Sequence, residues 1–242
     1  MKHVLFFIIV FCLPFISMAQ SKNVVNSQRV FPKISSTAAF EKALASHAKK
    51  YHSNGTFKWR VYAITTGPDA GGYHIIEGPG TWDEFDKRGD LGKEHTADWA
   101  TSISSLLTEK NENAYGVFRD DLSTAALTNY SNKIAITHTF YKPGYATDYE
   151  NALKSLKTSW EDGKQSIAVY EVSSSGQPGY NVVARYADGL KERDPQYRAS
   201  MKSRYEKLNG TGSWNNYQDM LKKCVDHSWG EILEFRADLS PK

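Results

Sequence analysis

The cleanest alternation of apolar and polar residues runs from Lys133 to Tyr141, where β-formers dominate, and it predicts a strand. Pro143-Gly144 stops it, and Thr147-Asp148-Tyr149-Glu150 has capping-box spacing, so a helix is expected to start there. The apolar stripe of that helix is Tyr149, Leu153, Leu156 and Trp160, all on one face, and Gly163 ends it. Two strands follow, Gln165 to Val172 and Tyr180 to Tyr186, joined by a Ser- and Gly-rich loop. A helical stretch with Tyr217, Leu221 and Cys224 on one face leads to a last strand from Glu231 to Arg236. The order is β-α-β-β-α-β.

The first half repeats this pattern. Phe40, Leu44, His47 and Tyr51 take the places of Tyr149, Leu153, Leu156 and Trp160, each 109 positions earlier. Strands are expected at Lys58 to Thr65 and Tyr73 to Glu77, and Thr81 with Glu84 makes a second capping-box match. A helix carrying Trp99, Ile103 and Leu106 and a strand from Ala114 to Arg119 complete the unit. Its opening strand falls in the polar stretch Val24 to Phe31. Each half ends on nearly the same words, Phe118-Arg119-Asp120-Asp121-Leu122-Ser123 and Phe235-Arg236-Ala237-Asp238-Leu239-Ser240. Repetition at so steady an offset predicts two copies of one fold, residues 20–125 and 126–242. In each copy an antiparallel sheet would carry both helices on one face and need cover on the other. The other copy supplies that cover.

Element order and duplication, from about Val24 to Ser240, resemble the dimeric α/β-barrel superfamily in a version fused into one chain. Its members include antibiotic-biosynthesis monooxygenases, NIPSNAP-type proteins and chlorite-dismutase-like haem proteins. The resemblance implies an α+β fold of two tandem ferredoxin-like repeats, with sheets packed face to face as a pseudo-dimeric barrel and a working cavity between them. No signature residue of one particular family accompanies it.

The useful question is then which polar side chains face that cavity. On the third strands Tyr73, Ile75 and Glu77 match Tyr180, Val182 and Ala184, a mainly apolar face that belongs under the helices. His74, Asn181 and Arg185 therefore point inward. An imidazole there could act as general base, oxyanion donor or metal ligand, and His74 is the candidate catalytic residue. On the second strands Arg60, Tyr62 and Ile64 match Ala168, Tyr170 and Val172. Tyr62 and Tyr170 could line an aromatic pocket, although tyrosine is also an ordinary strand residue. His138 shares the phase of Ile134, Ile136 and Phe140, which reads as helix-packed core; if that phase faces the cavity instead, His138 joins His74. The candidate ligand-binding set is Arg60, Tyr62, His138, Tyr170, Asn181 and Arg185. His47 reads as locally hydrogen-bonded, His95 as a cap or surface residue, and the Arg119/Asp121 and Arg236/Asp238 pairs as architecture.

Residues 1–19 read as a signal peptide. Lys2 precedes the apolar run Val4 to Ile16, which falls short of the ~20 residues a bilayer span needs, and Ser17-Met18-Ala19 offers small residues at the cleavage site. Export, a mature start at Gln20 and no membrane anchor are expected. Phe11 before Cys12 argues against lipidation. The formal charge of the whole chain is only +3, which gives nucleic acid no footprint. With the leader gone Cys224 is the last cysteine, so no internal disulfide can form. Asn54, Asn129 and Asn209 head glycosylation sequons that matter only in a eukaryotic secretory pathway. Phosphate loops, His-x-x-x-His pairs, Gly-x-Ser-x-Gly elbows and cysteine pairs are missing.

The leading expectation is a secreted or periplasmic monomer, without cofactor, that binds a small apolar or aromatic molecule between its sheets. A cofactor-independent monooxygenase or isomerase, a haem protein and a protein-interaction module follow in that order.

Overall fold

The computed structural model describes residues 21–89, 91–173 and 177–241; the expected leader and its cleavage site lie outside the described residues. Eight strands, β1 (Val24–Pro32), β2 (Trp59–Ile64), β3 (Tyr73–Gly80), β4 (Leu107–Phe118), β5 (Lys133–Tyr141), β6 (Ser166–Ser173), β7 (Gly179–Tyr186) and β8 (Val225–Phe235), close into one antiparallel barrel. The order around the wall is β1-β3-β2-β8-β5-β7-β6-β4. The first four strands thus sit side by side as β4-β1-β3-β2, and the last four as β8-β5-β7-β6 in the same relative order. Two short seams join them. At one, Tyr62, Ala63 and Ile64 face Phe235, Glu234 and Leu233; at the other, Tyr115 to Phe118 face Ser173 to Tyr170.

Helices α1 (Thr37–Tyr51), α2 (Trp82–Arg88) and α3 (Lys93–Asp98) belong to the first half. Helices α4 (Ala146–Asp162), α5 (Met201–Asn209) and α6 (Ser213–Cys224) belong to the second. The expected stripes do bury. Phe40, Leu44 and Ala48 of α1 pack on Val30, Val61, Tyr73 and Ile75, while Tyr149, Leu153 and Trp160 of α4 pack on Ile167, Val169 and Tyr180. A third apolar layer, with Tyr62, Ile64, Ile134, Ile136, Ala168, Val183 and Leu233, fills the barrel interior.

Several local expectations are corrected. The Thr81/Glu84 capping box forms, each partner bonding the other's backbone N–H at 3.1 and 2.8 Å. The one at Thr147 does not: α4 is capped two residues earlier, at Tyr145, whose side chain caps nothing, so Thr147 already lies within the first turn. The helix expected around Trp99, Ile103 and Leu106 is a π turn, Trp99–Ile103, followed by a 3-10 turn, Ser104–Leu106. β4 and β8 start well before their expected positions. Their polar first halves are held by backbone pairing to β1 and β5, which a hydrophobic pattern does not record.

The repeated Phe-Arg-x-Asp-Leu-Ser segments adopt the same geometry twice. Arg119 makes a two-pronged pair with Asp121 at 2.9 and 2.7 Å, and Arg236 one with Asp238 at 2.9 and 2.6 Å. Ser123 Oγ accepts from Val169 N at 2.9 Å and donates to Arg119 O at 2.6 Å. Ser240 Oγ does the same with Val61 N and Arg236 O at 3.0 and 2.9 Å.

Candidate functional site inside the barrel

Strand pleating sends alternate residues inward, and the ladder registers set them in two matching rows. Tyr62 pairs with His74, His74 with Arg29, and Arg29 with Glu112. On the other side Tyr170 pairs with Asn181, Asn181 with His138, and His138 with Trp229. Tyr73 and Ile75, and likewise Tyr180 and Val182, lie under the helices, so the inward assignment of His74, Asn181 and Arg185 holds in position. His138 corrects its first assignment. Its phase partners Ile134 and Ile136 line the interior, whereas the outer face of β5 carries Thr137 and Thr139. Both faces of this sheet are covered, so polarity alone did not distinguish inside from outside.

Between the rows lies a cavity lined by His74, Asn181, Arg185, Tyr62, Tyr170 and Tyr130 with an apolar remainder that includes Val25, Ile76, Ile136 and Val183. The space open to the centres of water-sized molecules is about 60 Å³. At ~10–15 Å³ for one water, that is room for four to six waters or one guest of similar bulk. Two buried polar atoms on this lining, His74 Nδ1 and Asn181 Oδ1, have no hydrogen-bond partner. Burial, with Arg29 and His138 nearby, holds the His74 imidazole well below its ordinary pKa, so it is neutral across the physiological range.

Charged groups flank the cavity on two sides. On one, Arg29 (3% exposed) donates to Asp69 at 2.6 Å and to both oxygens of Glu231, and His138 Nε2 lies 2.8 Å from Glu231. Burial opposes ionisation of Glu231, but hydrogen bonds from His138 and Arg29 outweigh it and keep its pKa below the usual carboxylate value. Asp69 is lowered in the same way, Lys110 and Arg29 overcoming the cost of burial. On the other side Arg185 donates to the carbonyls of Ala126, Leu127 and Asn129 at 2.7, 3.0 and 2.5 Å, and to Tyr170 Oη at 3.1 Å. The loop so held brings in Tyr130, with Arg60 stacked 3.9 Å over its ring. Burial pushes the Tyr170 hydroxyl up to about 12 and raises Tyr130 as well.

Of the sequence candidates, His74, Tyr62, Tyr170, Asn181 and Arg185 line one cavity; Arg60 and His138 are outside that lining, Arg60 stacked on Tyr130 and His138 paired with Asn181 on the neighbouring strand. Arg29, Glu231 and Tyr130 were missed. Arg29 sits in the weakest strand signal, Glu231 marked only a strand start, and Tyr130 lies in a loop without pattern. A second hollow, about 490 Å³, opens outside the barrel between the sheet and helices α4 and α6, walled by Tyr149, Leu153, Leu156, Trp160 and Tyr217.

No family model matches the chain, and none of the curated proteins matches it in sequence. Solved structures match in fold. An anthrone oxidase-like protein superposes with a TM-score of 0.57 at 11% identity, over 89% of this chain and 92% of its own. A candidate monooxygenase from Fusobacterium nucleatum gives 0.54 at 13% identity, over 88% and 91%. A mutant chlorite dismutase from Candidatus Nitrospira defluvii gives 0.53 at 9% identity, over 89% and 92%. At such identities these neighbours establish the fold alone. This is a mixed α/β protein built on a closed antiparallel barrel of eight strands.

Proposed function

We propose that the protein binds one compact small molecule inside the barrel, hydrogen-bonded by His74 Nδ1 and Asn181 Oδ1 and packed against the rings of Tyr62 and Tyr170. One observation carries this: two unpartnered buried polar atoms share the lining of a largely apolar cavity. Each unmet atom costs ~1–3 kcal/mol, so a guest that satisfies both is favoured over an apolar one of equal size. The cavity volume narrows the sequence expectation to something about as large as a single substituted ring.

A cofactor-independent oxygenase or isomerase, the alternative expected from the sequence resemblance, is the second reading, and the monooxygenase and anthrone oxidase-like neighbours favour it. His74 would then be the base. A proton taken up on this buried ring beside Arg29 and His138 is strongly opposed, so the same imidazole serves better as a neutral hydrogen-bond partner. Haem does not fit this interior, since a macrocycle is many times the bulk of the available space. The larger outer hollow has no histidine or cysteine in its lining.

The matching strand orders and the twin Phe-Arg-x-Asp-Leu-Ser segments support two ferredoxin-like copies, 20–125 and 126–242; export, read from residues 1–19, and a monomeric state belong to the same proposal. The test uses phenol as probe, with native mass spectrometry and thermal shift. Saturable stabilisation of the wild type and of Leu156→Trp, which fills the outer hollow, together with its loss in Ile136→Trp, supports the barrel site. Loss in Leu156→Trp alone, or no binding at all, would sink it.

A further inference from the structure

A cluster of aromatic and acidic side chains lies outside the barrel, where the end of α1 meets α3. His47 comes from the last turns of α1, His52 is the residue that ends that helix, and His95 lies in α3. His47 and His52 are 1% and 0% exposed. One ligand nitrogen from each of the three lies within 4.8 Å of the others. We propose that His47, His52 and His95 form a binding site for a divalent transition-metal ion, zinc by the chemistry of its donors.

The hydrogen bonds around the rings fix which nitrogens face the ion. Asp98 Oδ2 lies 2.7 Å from His47 Nδ1, so a proton on Nδ1 is shared with the carboxylate and Nε2 keeps its lone pair. That Nε2 is buried and has no hydrogen-bond partner. His52 Nδ1 sits 3.1 Å from the Phe57 carbonyl oxygen and 3.3 Å from Glu77 Oε1. Two acceptors at that nitrogen keep the proton there and leave His52 Nε2 as a lone pair too. A carboxylate or carbonyl behind the ring is the arrangement that orients metal-ligating histidines.

Spacing agrees. Two nitrogens bound at ~2.0–2.1 Å to a tetrahedral zinc stand about 3.3–3.4 Å apart, and His52 Nε2 and His95 Nε2 are separated by 3.2 Å. Three neutral imidazoles suit zinc, copper or nickel and not the oxygen-seeking calcium or magnesium. Trp59 stacks on His52 at 3.6 Å and Trp99 lies 5.4 Å from His47, an apolar shell that strengthens the ion's bonds. His95 also lines a surface groove of about 250 Å³ with Trp59, Glu77, Arg88 and Trp99. The ion enters there, and its fourth position stays open to water or a small anion. The second half has nothing equivalent, since Leu156 stands at the position of His47.

The test adds Zn²⁺, and Co²⁺ as a coloured substitute, to chelator-treated protein. Expected are one ion per chain by native mass spectrometry, the visible absorption of tetrahedral cobalt, and a higher melting temperature with zinc. His95→Ala, a half-buried position, should abolish all three, and Asp98→Asn should weaken affinity ~10–100-fold. His227→Ala, an exposed histidine elsewhere, should bind as the wild type does. The proposal is overturned if no ion binds, or if His95→Ala and Asp98→Asn bind as tightly as the wild type.

Discussion

His74 offers the sharpest residue-scale consequence of burial. Its pKa in the fold is well below the ordinary value, because desolvation opposes the charged form and Arg29 and His138 add to that. Above pH ~6.5 the ring is neutral in both folded and unfolded chains and contributes no pH dependence. As pH falls below ~6.5 the unfolded chain takes up a proton that the fold refuses, so stability declines by up to ~1.4 kcal/mol per pH unit for that one proton. Asp69 and Glu231 act lower on the scale. Their folded pKa values are depressed, so their contribution is present above the unfolded carboxylate value, about 4, and is lost below it. Urea unfolding between pH 7 and 5 should therefore show a falling stability whose slope is smaller in His74→Asn. An unchanged slope in that variant would mean that His74 does not carry the proton.

At the scale of elements, the two Phe-Arg-x-Asp-Leu-Ser segments act as matched locks on the strand ends. Each serine oxygen accepts from a backbone N–H of the opposite edge, Val169 or Val61, so its loss orphans a ladder donor. Ser123→Ala and Ser240→Ala should each cost ~1 kcal/mol or somewhat more, and they should add, because the two locks share no partner. A nearly neutral effect in both would reduce the motif to a coincidence of wording. These elements also show what a sequence can reveal. The stripes Phe40-Leu44 and Tyr149-Leu153-Trp160 were legible because burying one helical face demands that spacing. The inward phase of β3 and β7 was legible by comparing the two halves of the sequence. The early starts of β4 and β8 were not, since Thr108 to Asn113 and Asp226 to Gly230 are held by backbone bonds while their side chains, the half-buried Trp229 apart, are exposed. The His47/His52/His95 cluster was equally hidden: its members are 43 or more residues apart in part, and only the meeting of α1 with α3 brings them together.

For the whole molecule, closure is the decisive fact. The two halves touch through two short ladders, three paired positions at β2/β8 and four at β4/β6, through the apolar interior that both share, and through ion pairs that include Arg29 with Glu231 and Arg236 with Glu41. Each seam carries an aromatic pair, Tyr62 with Phe235 at 5.4 Å and Phe118 with Tyr170 at 5.6 Å. Either half alone would expose its entire inner face, Tyr62, Ile64 and Ile76 from one or Ile134, Ile136 and Val183 from the other. An antiparallel sheet with helices on one side and that surface bare is an association site before it is a stable domain. The loop of residues 123–132 is the sole covalent link between them, and Arg185 binds its carbonyls from within the second half. Cutting the chain between Thr128 and Asn129 therefore should leave a noncovalent pair that rebuilds the barrel. Co-expressed fragments 21–128 and 129–241 are expected to purify as a one-to-one complex with the wild-type circular dichroism spectrum, and each alone to aggregate or remain unfolded. Cooperative, monomeric folding of either fragment by itself would show that the interior layer is not what makes the halves depend on each other.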